Sequence, residues 1–242
     1  MASHQDAITE TRQRLSQAKA VTVLTGAGIS ADSGVPTFRG PEGLWRNFRA
    51  EDLATPEAFS RDPRLVWEWY NWRRELIVTK SPNPAHHALV VLEKRIRTFT
   101  LITQNVDGLH AKAGSQRLIE IHGNIWKVRC TGCGQVSVDL DIPLPLLPYC
   151  SQCGGLLRPH VVWFGEALNP ADIQQSVEAL QTCEVMLVIG TSGVVQPAAA
   201  FADMAKSAGA YVAEVNLNPA STTGSVDAHL QGRAAEILPQ LL

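Results

Sequence analysis

Short apolar runs rich in β-branched residues alternate along the chain with longer segments of helical periodicity. The runs fall at 21–25, 97–103, 118–121, 185–189 and 210–215. Each is followed at once by a glycine or a polar residue, as a buried parallel strand would be. Strands that alternate with helices predict an α/β fold built on a doubly wound parallel sheet.

Helix-start signals support this interpretation. The pattern over 7–19 predicts a surface helix. Asn83-Pro84 and Asn169-Pro170 each supply an N-cap residue followed by proline at the first helical position. A further helix is expected from 197 to 208, opened by a proline and ended by a glycine.

Two stretches interrupt the alternation. Residues 40–81 are helical in pattern and rich in tryptophan, and residues 126–159 are rich in turns and contain paired cysteines. We therefore expect a discontinuous sheet domain, formed by about 1–39, 82–125 and 160–242. It would carry a helical module at 40–81 and a zinc-binding module at 126–159.

Composition excludes some classes of protein. The 21 basic and 23 acidic residues give a net charge of −2, so no strong positive field is available for nucleic acid or an anionic membrane. The N-terminus lacks the pattern of a targeting peptide, and no segment approaches the roughly 20 apolar residues of a membrane span. We expect a cytoplasmic protein with neither nucleic acid nor membrane as a partner.

Four of the five cysteines form two Cys-x-x-Cys pairs, Cys130 with Cys133 and Cys150 with Cys153. This spacing predicts a zinc ribbon in which four thiolates hold one Zn²⁺. Four protein ligands leave no open position, so the metal would be structural. Two redox-active pairs are the alternative, but the strand–helix setting of such motifs is missing. Cys183 is expected to be a core residue.

A glycine-rich segment directly follows the first predicted strand. Gly26 and Gly28 would let the backbone approach a phosphate, although Ala31 replaces the third glycine of a dinucleotide fingerprint. On this fragment alone a structural turn is an equally good interpretation. The polar, proline-containing string 26–40 instead predicts a loop that covers a ligand. No acidic residue ends a second strand, which argues against an ordinary dehydrogenase.

Polar residues also follow the other predicted strands, at 104–107, His122, 190–192 and Asn216. Ligands of open α/β sheets bind beyond the carboxyl ends of the strands. Taken singly, 104–107 could be a local turn and His122 a structural histidine. Their convergence at one edge of the sheet favours a ligand site.

The chain resembles the sirtuin family through strings that match in order and spacing: GAGISADSGVPTFRG (26–40), TQNVDGLH (103–110), EIHGN (120–124), the two Cys pairs, RPHVVWFGE (158–166), GTS (190–192) and Asn216. The resemblance runs from about residue 20 to the end. It implies one sirtuin-type deacylase domain over 1–242. That domain would combine a Rossmann-like large domain with a smaller domain, made of a zinc-ribbon module and a helical module. The activity implied is NAD-dependent removal of acyl groups from protein lysine.

Within the family, Tyr70 and Arg73 resemble the Tyr-x-x-Arg pair of the class III branch, which includes the animal mitochondrial desuccinylase and its bacterial relatives. Residues three apart share a helix face. Arginine can hold a carboxylate with two charge-assisted bonds and tyrosine can add a third. Ala50 and Ala54 match small residues that leave room for a longer acyl chain. The alternative is an amphipathic helix with a snorkelling arginine, and removal of acetyl groups is expected as well.

The resemblance also implies residue roles. His122 would act as general base on the ribose hydroxyls, a role suited to imidazole. Asn105 would orient the ribose, and Arg39 would order the cofactor. Cofactor binding is implied for Gly26, Ala27, Gly28, Ser30, Asp32, Phe38, Arg39, Trp45, Gln104, Asn105, Asp107, Gly190, Thr191, Ser192, Asn216, Leu217, Asn218 and Ala234. Ala234 stands where the animal desuccinylase has a cysteine, and the zinc module is shorter than in that enzyme.

Substrate contacts are implied for Tyr70, Arg73, Ala54, Val161, Trp163, Phe164, Gly165 and Val194. The acylated peptide would add a strand between 161–166 and 193–195, so that backbone bonding allows a loose sequence preference. The products would be free lysine, nicotinamide and O-acyl-ADP-ribose, and a monomer is expected. Two rival functions are an NAD-dependent ADP-ribosyltransferase and a zinc-ribbon binding module without catalysis. The near-neutral charge argues against the second.

Overall fold

A computed structural model describes residues 4–36, 48–218 and 226–242. Its strands are β1 (Ala20–Thr25), β2 (Thr98–Thr103), β3 (Leu118–Glu120), β4 (Gly123–Cys130), β5 (Val136–Val138), β6 (Leu157–Val161), β7 (Val185–Ile189), β8 (Tyr211–Asn216) and β9 (Ala228–Gln231). Its helices are α1 (His4–Gln17), α2 (Gly28–Ala31), α3 (Ala50–Leu53), α4 (Pro56–Arg61), α5 (Pro63–Val78), α6 (Pro84–Arg95), α7 (Leu109–Ala113), α8 (Pro170–Thr182), α9 (Phe201–Ser207) and α10 (Ala234–Ile237). Short 3₁₀ turns cover Ala198–Ala200 and Leu238–Leu241.

Six strands form one parallel sheet in the order β3-β2-β1-β7-β8-β9. The register aligns their carboxyl ends, because Thr25 pairs with both Thr103 and Ile189, and Thr103 pairs with Glu120. The residues that follow these strands therefore meet at one edge. The strand after β1 in the chain, β2, lies on one side of β1, whereas the strand after β7, β8, lies on the opposite side of the sheet. The strand order therefore reverses between β1 and β7, and ligands of such folds bind at this switch point.

Hydrophobic clusters cover both faces of this sheet. One face packs against α1, α6 and the C-terminal helical segment, and the other packs against α8 and α9. The start of α6 follows the prediction, because the Asn83 side chain accepts a hydrogen bond from the Ala85 amide and Pro84 opens the helix. The doubly wound α/β architecture expected from the apolar pattern is confirmed.

The two segments that interrupt the alternation share a third hydrophobic cluster and so form one smaller domain. The antiparallel sheet β5-β4-β6 packs there against α5. The Trp67 indole donates to the Leu157 oxygen at 3.0 Å, and Asn71 exchanges two hydrogen bonds with the main chain of Leu144. The fully buried Arg74 donates to the main-chain oxygen of Ile125 at 2.8 Å. The module boundaries remain predictions, since β4 begins before 126 and β6 ends beyond 159.

Helix α5 owes its start to local sequence. The Asp62 side chain accepts a hydrogen bond from the Leu65 amide, and Pro63 occupies the first turn, where its missing N–H costs nothing. The helix then runs far enough to carry Tyr70 and Arg73 to the sheet domain. No helix in the described ranges is long and apolar enough to cross a membrane.

Candidate active site

The carboxyl edge of the parallel sheet opens into a cavity of about 600 Å³. Its wall is formed by the glycine loop after β1, the polar residues after β2, β3, β7 and β8, helix α5, and the segment after β6. Of the residues predicted to bind cofactor or substrate, the following line it: Gly26, Ala27, Gly28, Ala54, Tyr70, Arg73, Gln104, Asn105, His122, Val161, Trp163, Phe164, Gly165, Gly190, Thr191, Ser192, Asn216 and Asn218. The predicted convergence at one sheet edge is therefore present.

Gly26 and Gly28 are packed tightly against the loop after β7. A Cβ atom on Gly28 would lie 2.6 Å from the Gly190 Cα, and one on Gly26 would lie 2.8 Å from the Gly190 oxygen. The Gly28 amide donates to that same oxygen at 2.8 Å. Chain packing alone thus requires both glycines, and the close approach keeps the floor of the cavity open to a ligand.

Asn105 is held by the glycine loop and by α2. Its Nδ2 atom donates to the Gly26 oxygen at 3.1 Å and to the Ser30 hydroxyl at 3.2 Å. The Ser30 hydroxyl in turn donates to Asp107 at 2.8 Å, and the other carboxylate oxygen of Asp107 accepts from the Leu109 amide. Burial raises the pKa of Asp107 above its ordinary value. Ser30 and Asp107 lie behind the cavity wall and fix the Asn105 amide.

His122 faces the cavity from the end of β3. Its Nδ1 atom lies 3.0 Å from the main-chain oxygen of Gln104. A carbonyl oxygen only accepts, so Nδ1 carries the proton in this contact and Nε2 keeps its lone pair. Burial lowers the pKa of His122, although the Gln104 carbonyl opposes that shift. The imidazole is therefore neutral at pH 7 and can accept a proton at Nε2.

The far end of the cavity is built on the loops after β7 and β8. Gln104 donates to the Thr191 hydroxyl at 3.0 Å, and Asn216 donates to the Thr191 main-chain oxygen at 2.8 Å. These bonds join the strand-end polar residues into one connected surface, as a site for an extended polar ligand requires.

Some predicted residues lie elsewhere. Asp32 pairs with Arg233 at 2.7 Å, Leu217 is exposed, and Ala234 is buried in α10. None of these three lines the cavity, and neither does Val194. Phe38, Arg39 and Trp45 fall outside the described residues, so their predicted roles stay predictions.

Another side of the cavity is formed by α5 and the segment after β6. Tyr70 is fully buried, and its hydroxyl oxygen accepts a hydrogen bond from the Trp163 indole at 2.8 Å. The Arg73 guanidinium stacks 5.0 Å from the Trp69 ring, and burial lowers its pKa. Arginine starts from so high a pKa that it stays charged. A tyrosine and a cation therefore line the same cavity as the buried Ala54.

Three lining residues lie outside every site segment singled out from the sequence: Glu51, Leu168 and Gln196. Four others, Val106, Val162, Glu166 and Val195, fall within the predicted segments 104–107, 161–166 and 193–195. Glu51 directly follows Ala50, which was singled out. Leu168 and Gln196 carry no signal, because their direction depends on tertiary packing.

The four paired cysteines form a separate site. Their sulfur atoms all lie within 4.8 Å of one another, with Cys130 and Cys153 3.4 Å apart and Cys133 and Cys150 3.8 Å apart. Zn–S bonds of about 2.3 Å in a tetrahedron set sulfurs about 3.8 Å apart. The amides of Gly132 and Gly155 point at two of the sulfurs, as they would toward thiolates. The thiols are placed to bind one structural zinc ion, and none of them lines the cavity.

Cys183 is buried and donates to the Leu180 oxygen at 3.4 Å. Burial raises the pKa of its thiol, so little thiolate forms at neutral pH. Its expected place in the core is confirmed.

Four matches with known proteins agree with one another. The Sir2 family profile matches residues 26–197. The chain is 53% identical over 229 residues to NAD-dependent protein deacylase 2 of Pyrobaculum aerophilum, covering 94% of this chain and 92% of that protein. It is 47% identical over 263 residues to the mitochondrial NAD-dependent protein deacylase sirtuin-5 of Danio rerio, covering 97% and 86%. A solved Sir2 homologue–NAD complex is similar with a TM-score of 0.92 at 44% identity, covering 96% and 91%.

Proposed function

Because this chain belongs to the Sir2 family and is an NAD-dependent protein-lysine deacylase, we propose that it removes acidic acyl groups (succinyl, malonyl and glutaryl) from lysine as well as acetyl groups. One observation carries the proposal. Tyr70 and Arg73 line the same cavity as His122 and the glycine loop. A carboxylate-binding pair thus lies within the site that would hold both the cofactor and the acyl-lysine.

The proposed reaction moves the acyl group from the lysine nitrogen to a ribose oxygen. The lysine amide bond and the bond between ribose and nicotinamide would break. An ester bond to a ribose oxygen would form, and the ribose carbon that loses nicotinamide would gain a hydroxyl, with one water supplying the added oxygen and hydrogens. Lysine, nicotinamide and O-acyl-ADP-ribose would leave. When bound, NAD supplies both the ribose carbon that loses nicotinamide and the ribose hydroxyl that receives the acyl group.

His122 is the proposed general base. Its Nδ1 proton is committed to the Gln104 oxygen, so Nε2 is the atom that takes a proton from a ribose hydroxyl. The lowered pKa keeps this atom unprotonated at neutral pH. The same contact fixes the ring plane, which spares the site a reorientation during reaction.

The cofactor would lie along the strand ends. The glycine loop leaves room for the diphosphate, and the amides of Gln104 and Asn105 are oriented for the ribose by Thr191 and the Gly26 oxygen. Asp107, for which the family resemblance implies cofactor binding, lies behind the cavity wall. We propose that it acts on this site through Ser30 and Asn105.

The acyl chain would pass Ala54 and end between Tyr70 and Arg73. Burial raises the pKa of Tyr70, so its phenol stays protonated and remains a donor. Arg73 supplies the charge that a succinyl, malonyl or glutaryl carboxylate needs. An acetyl group is short enough to leave both side chains without contact, which accounts for the proposed dual activity.

The substrate would enter as an extended peptide. Val161–Gly165 and Val195 both contribute to the cavity wall, and we propose that a strand added between these segments would bring its lysine inward. The large domain at about 1–39, 82–125 and 160–242, with modules at 40–81 and 126–159, remains our proposed division of the chain.

Product analysis tests the proposed reaction. The protein is incubated with NAD and a succinyl-lysine peptide, and the products are separated and weighed by mass spectrometry. The proposal requires an unmodified lysine peptide together with succinyl-ADP-ribose. ADP-ribose attached to the peptide or to the protein, with the succinyl group retained, would favour the transferase instead.

A further inference from the structure

The indole of Trp163 is the hydrogen-bond partner of Tyr70 in the part of the chain that the structure describes. Its Nε1 atom donates to the Tyr70 hydroxyl oxygen at 2.8 Å, and both side chains are almost completely buried. A phenol oxygen has one proton to donate. Because two donor protons cannot point at each other, the indole directs the Tyr70 proton away from itself.

Trp163 is itself held on several sides. The Arg158 guanidinium carbon lies 3.3 Å from the centre of the Trp163 ring system, and the Phe59 ring packs at 5.2 Å. The Trp163 amide donates to a Glu166 carboxylate oxygen at 2.9 Å. These contacts leave the indole little freedom, so its donor atom has a fixed position.

Arg158 and Glu166 form an ion pair across the segment that contains Trp163. Arg158 binds both carboxylate oxygens of Glu166, at 2.5 and 2.9 Å, and also donates to the Val161 oxygen at 2.9 Å. Burial alone would raise the pKa of Glu166, but the hydrogen bonds from Arg158 and Trp163 lower it on balance. Glu166 thus stays ionised at neutral pH, and with Arg158 it forms a clamp across residues 158–166.

We propose that Trp163 determines specificity for acidic acyl groups by aiming the Tyr70 hydroxyl at the acyl carboxylate, and that Arg158 and Glu166 position the indole for this purpose. The inference rests on the proposed acidic-acyl activity. It gives Trp163 a positioning role in addition to the substrate contact that the family resemblance implies. Glu166 accepts from the Trp163 main-chain amide, the Trp163 indole donates to the Tyr70 hydroxyl oxygen, and the Tyr70 hydroxyl would donate to the ligand.

The chemistry separates the two substrate classes. A carboxylate offers only acceptors and needs a donor that is already oriented. An acetyl group ends in a methyl and gains nothing from the phenol proton. Losing an oriented donor to a charged group changes affinity by about tenfold or more, so the loss falls chiefly on succinyl-lysine.

A double-mutant cycle in the 242-residue chain tests this inference. The quantity measured is the ratio of kcat/KM for a succinyl-lysine peptide to kcat/KM for the acetyl-lysine peptide of the same sequence. Trp163→Phe should lower this ratio about tenfold or more, and Tyr70→Phe should lower it further. The double variant should show the same ratio as Tyr70→Phe alone, because Trp163 acts through Tyr70.

Trp67→Phe is the matched control. Trp67 is buried in the same hydrophobic cluster as Trp163 but does not line the cavity. Like Trp163→Phe, the Trp67→Phe substitution removes one indole hydrogen bond, here the bond to the Leu157 oxygen. Its ratio should equal that of the wild type. Should Trp163→Phe fail to fold by circular dichroism, Glu166→Gln supplies the test, because loss of the charged clamp should lower the ratio and raise KM for the succinyl peptide.

The outcomes are distinct. An unchanged ratio in folded Trp163→Phe overturns the inference, and so do effects of Trp163→Phe and Tyr70→Phe that multiply in the double variant. In both cases a wild type that removes succinyl groups leaves the proposed function intact. A wild type with no activity on succinyl-lysine overturns the proposed function and this inference together.

Discussion

The His122 Nδ1 atom lies 3.0 Å from the main-chain oxygen of Gln104. This contact joins the ends of two neighbouring strands and fixes which imidazole nitrogen is free. Burial lowers the pKa of the ring below its ordinary value of 6.5, so the free nitrogen is unprotonated at pH 7. A base at this position is ready before any ligand binds.

The first prediction concerns this base. His122→Tyr should lower kcat/KM by at least about 100-fold, since a general base contributes that much or more. Its thermal unfolding should stay close to that of the wild type. His87→Tyr is the control, because His87 is exposed and outside the cavity. Normal turnover by His122→Tyr would contradict the base assignment.

The same assignment sets the pH dependence of the wild type. Because the folded-state pKa of His122 is lowered, kcat/KM should fall on acidification with a midpoint below pH 6.5. A midpoint above 6.5 for the acidic limb would mean that another group controls this step.

The second prediction separates acyl groups. Arg73→Met should lower kcat/KM for a succinyl-lysine peptide at least about tenfold more than for an acetyl-lysine peptide, because a buried site that loses its charge partner loses discrimination. Arg64→Met, an exposed change on the same helix, should leave both values near wild type. Equal losses on the two peptides would contradict a carboxylate-binding role for Arg73.

The third prediction concerns zinc. The chain should contain one zinc ion, and a chelator that removes it should lower the melting temperature and, indirectly, the activity. We expect the effect on activity to pass through Arg74. This residue of α5 donates hydrogen bonds to the main-chain oxygens of Asp139 and Asp141 in the zinc-binding module. Metal analysis should find zinc in Cys183→Ala and not in Cys150→Ala. Zinc loss without any change in unfolding would contradict a structural role.

The fourth prediction concerns acid stability. His86 and His110 are buried with their rings 4.8 Å apart. Burial lowers the pKa of His86 from 6.5 to about 4 and that of His110 well below 6.5. Protons therefore bind the unfolded chain more readily than the folded one between these values. The free energy of unfolding should be highest above pH 6.5 and fall as the pH drops toward 4.

Urea unfolding at pH 7 and pH 4.5 measures the size of this effect. The lowered pKa of His86 corresponds to a change of about 3 kcal/mol in the free energy of unfolding between pH 6.5 and about pH 4. His86→Gln should lose less stability on acidification than the wild type, whereas His4→Gln, an exposed change on α1, should follow the wild type. Identical acid sensitivity in all three chains would exclude the His86 contribution.

Sequence patterns located the central strands because each is a continuous apolar run that is buried on both faces. Val185–Ile189 was predicted to the residue, and the other four predicted runs end within one residue of the strands found. The edge strand Ala228–Gln231 was missed, since it is short and contains a histidine and a glutamine. The predicted helix at 197–208 begins as a 3₁₀ turn at Ala198–Ala200 and becomes α-helical only from Phe201.

The candidate site was predictable where its residues directly follow strands. Gln104, Asn105 and His122 converge because parallel strands end at one edge, which the alternating pattern already indicates. The position of Asp107 behind Ser30 could not be predicted, since it depends on how α2 packs. The Arg158–Glu166 clamp was likewise hidden, because its geometry arises from the turn that follows β6.

The most direct measurement of the central claim is the rate of nicotinamide release with acetyl-, succinyl- and butyryl-lysine peptides of one sequence, assayed side by side with an unacylated control. We predict release that requires an acylated lysine, occurs with both acetyl- and succinyl-lysine, and depends on Arg73 only for succinyl-lysine. Release that is equally fast with the unacylated peptide, or absent with succinyl-lysine, would contradict the account.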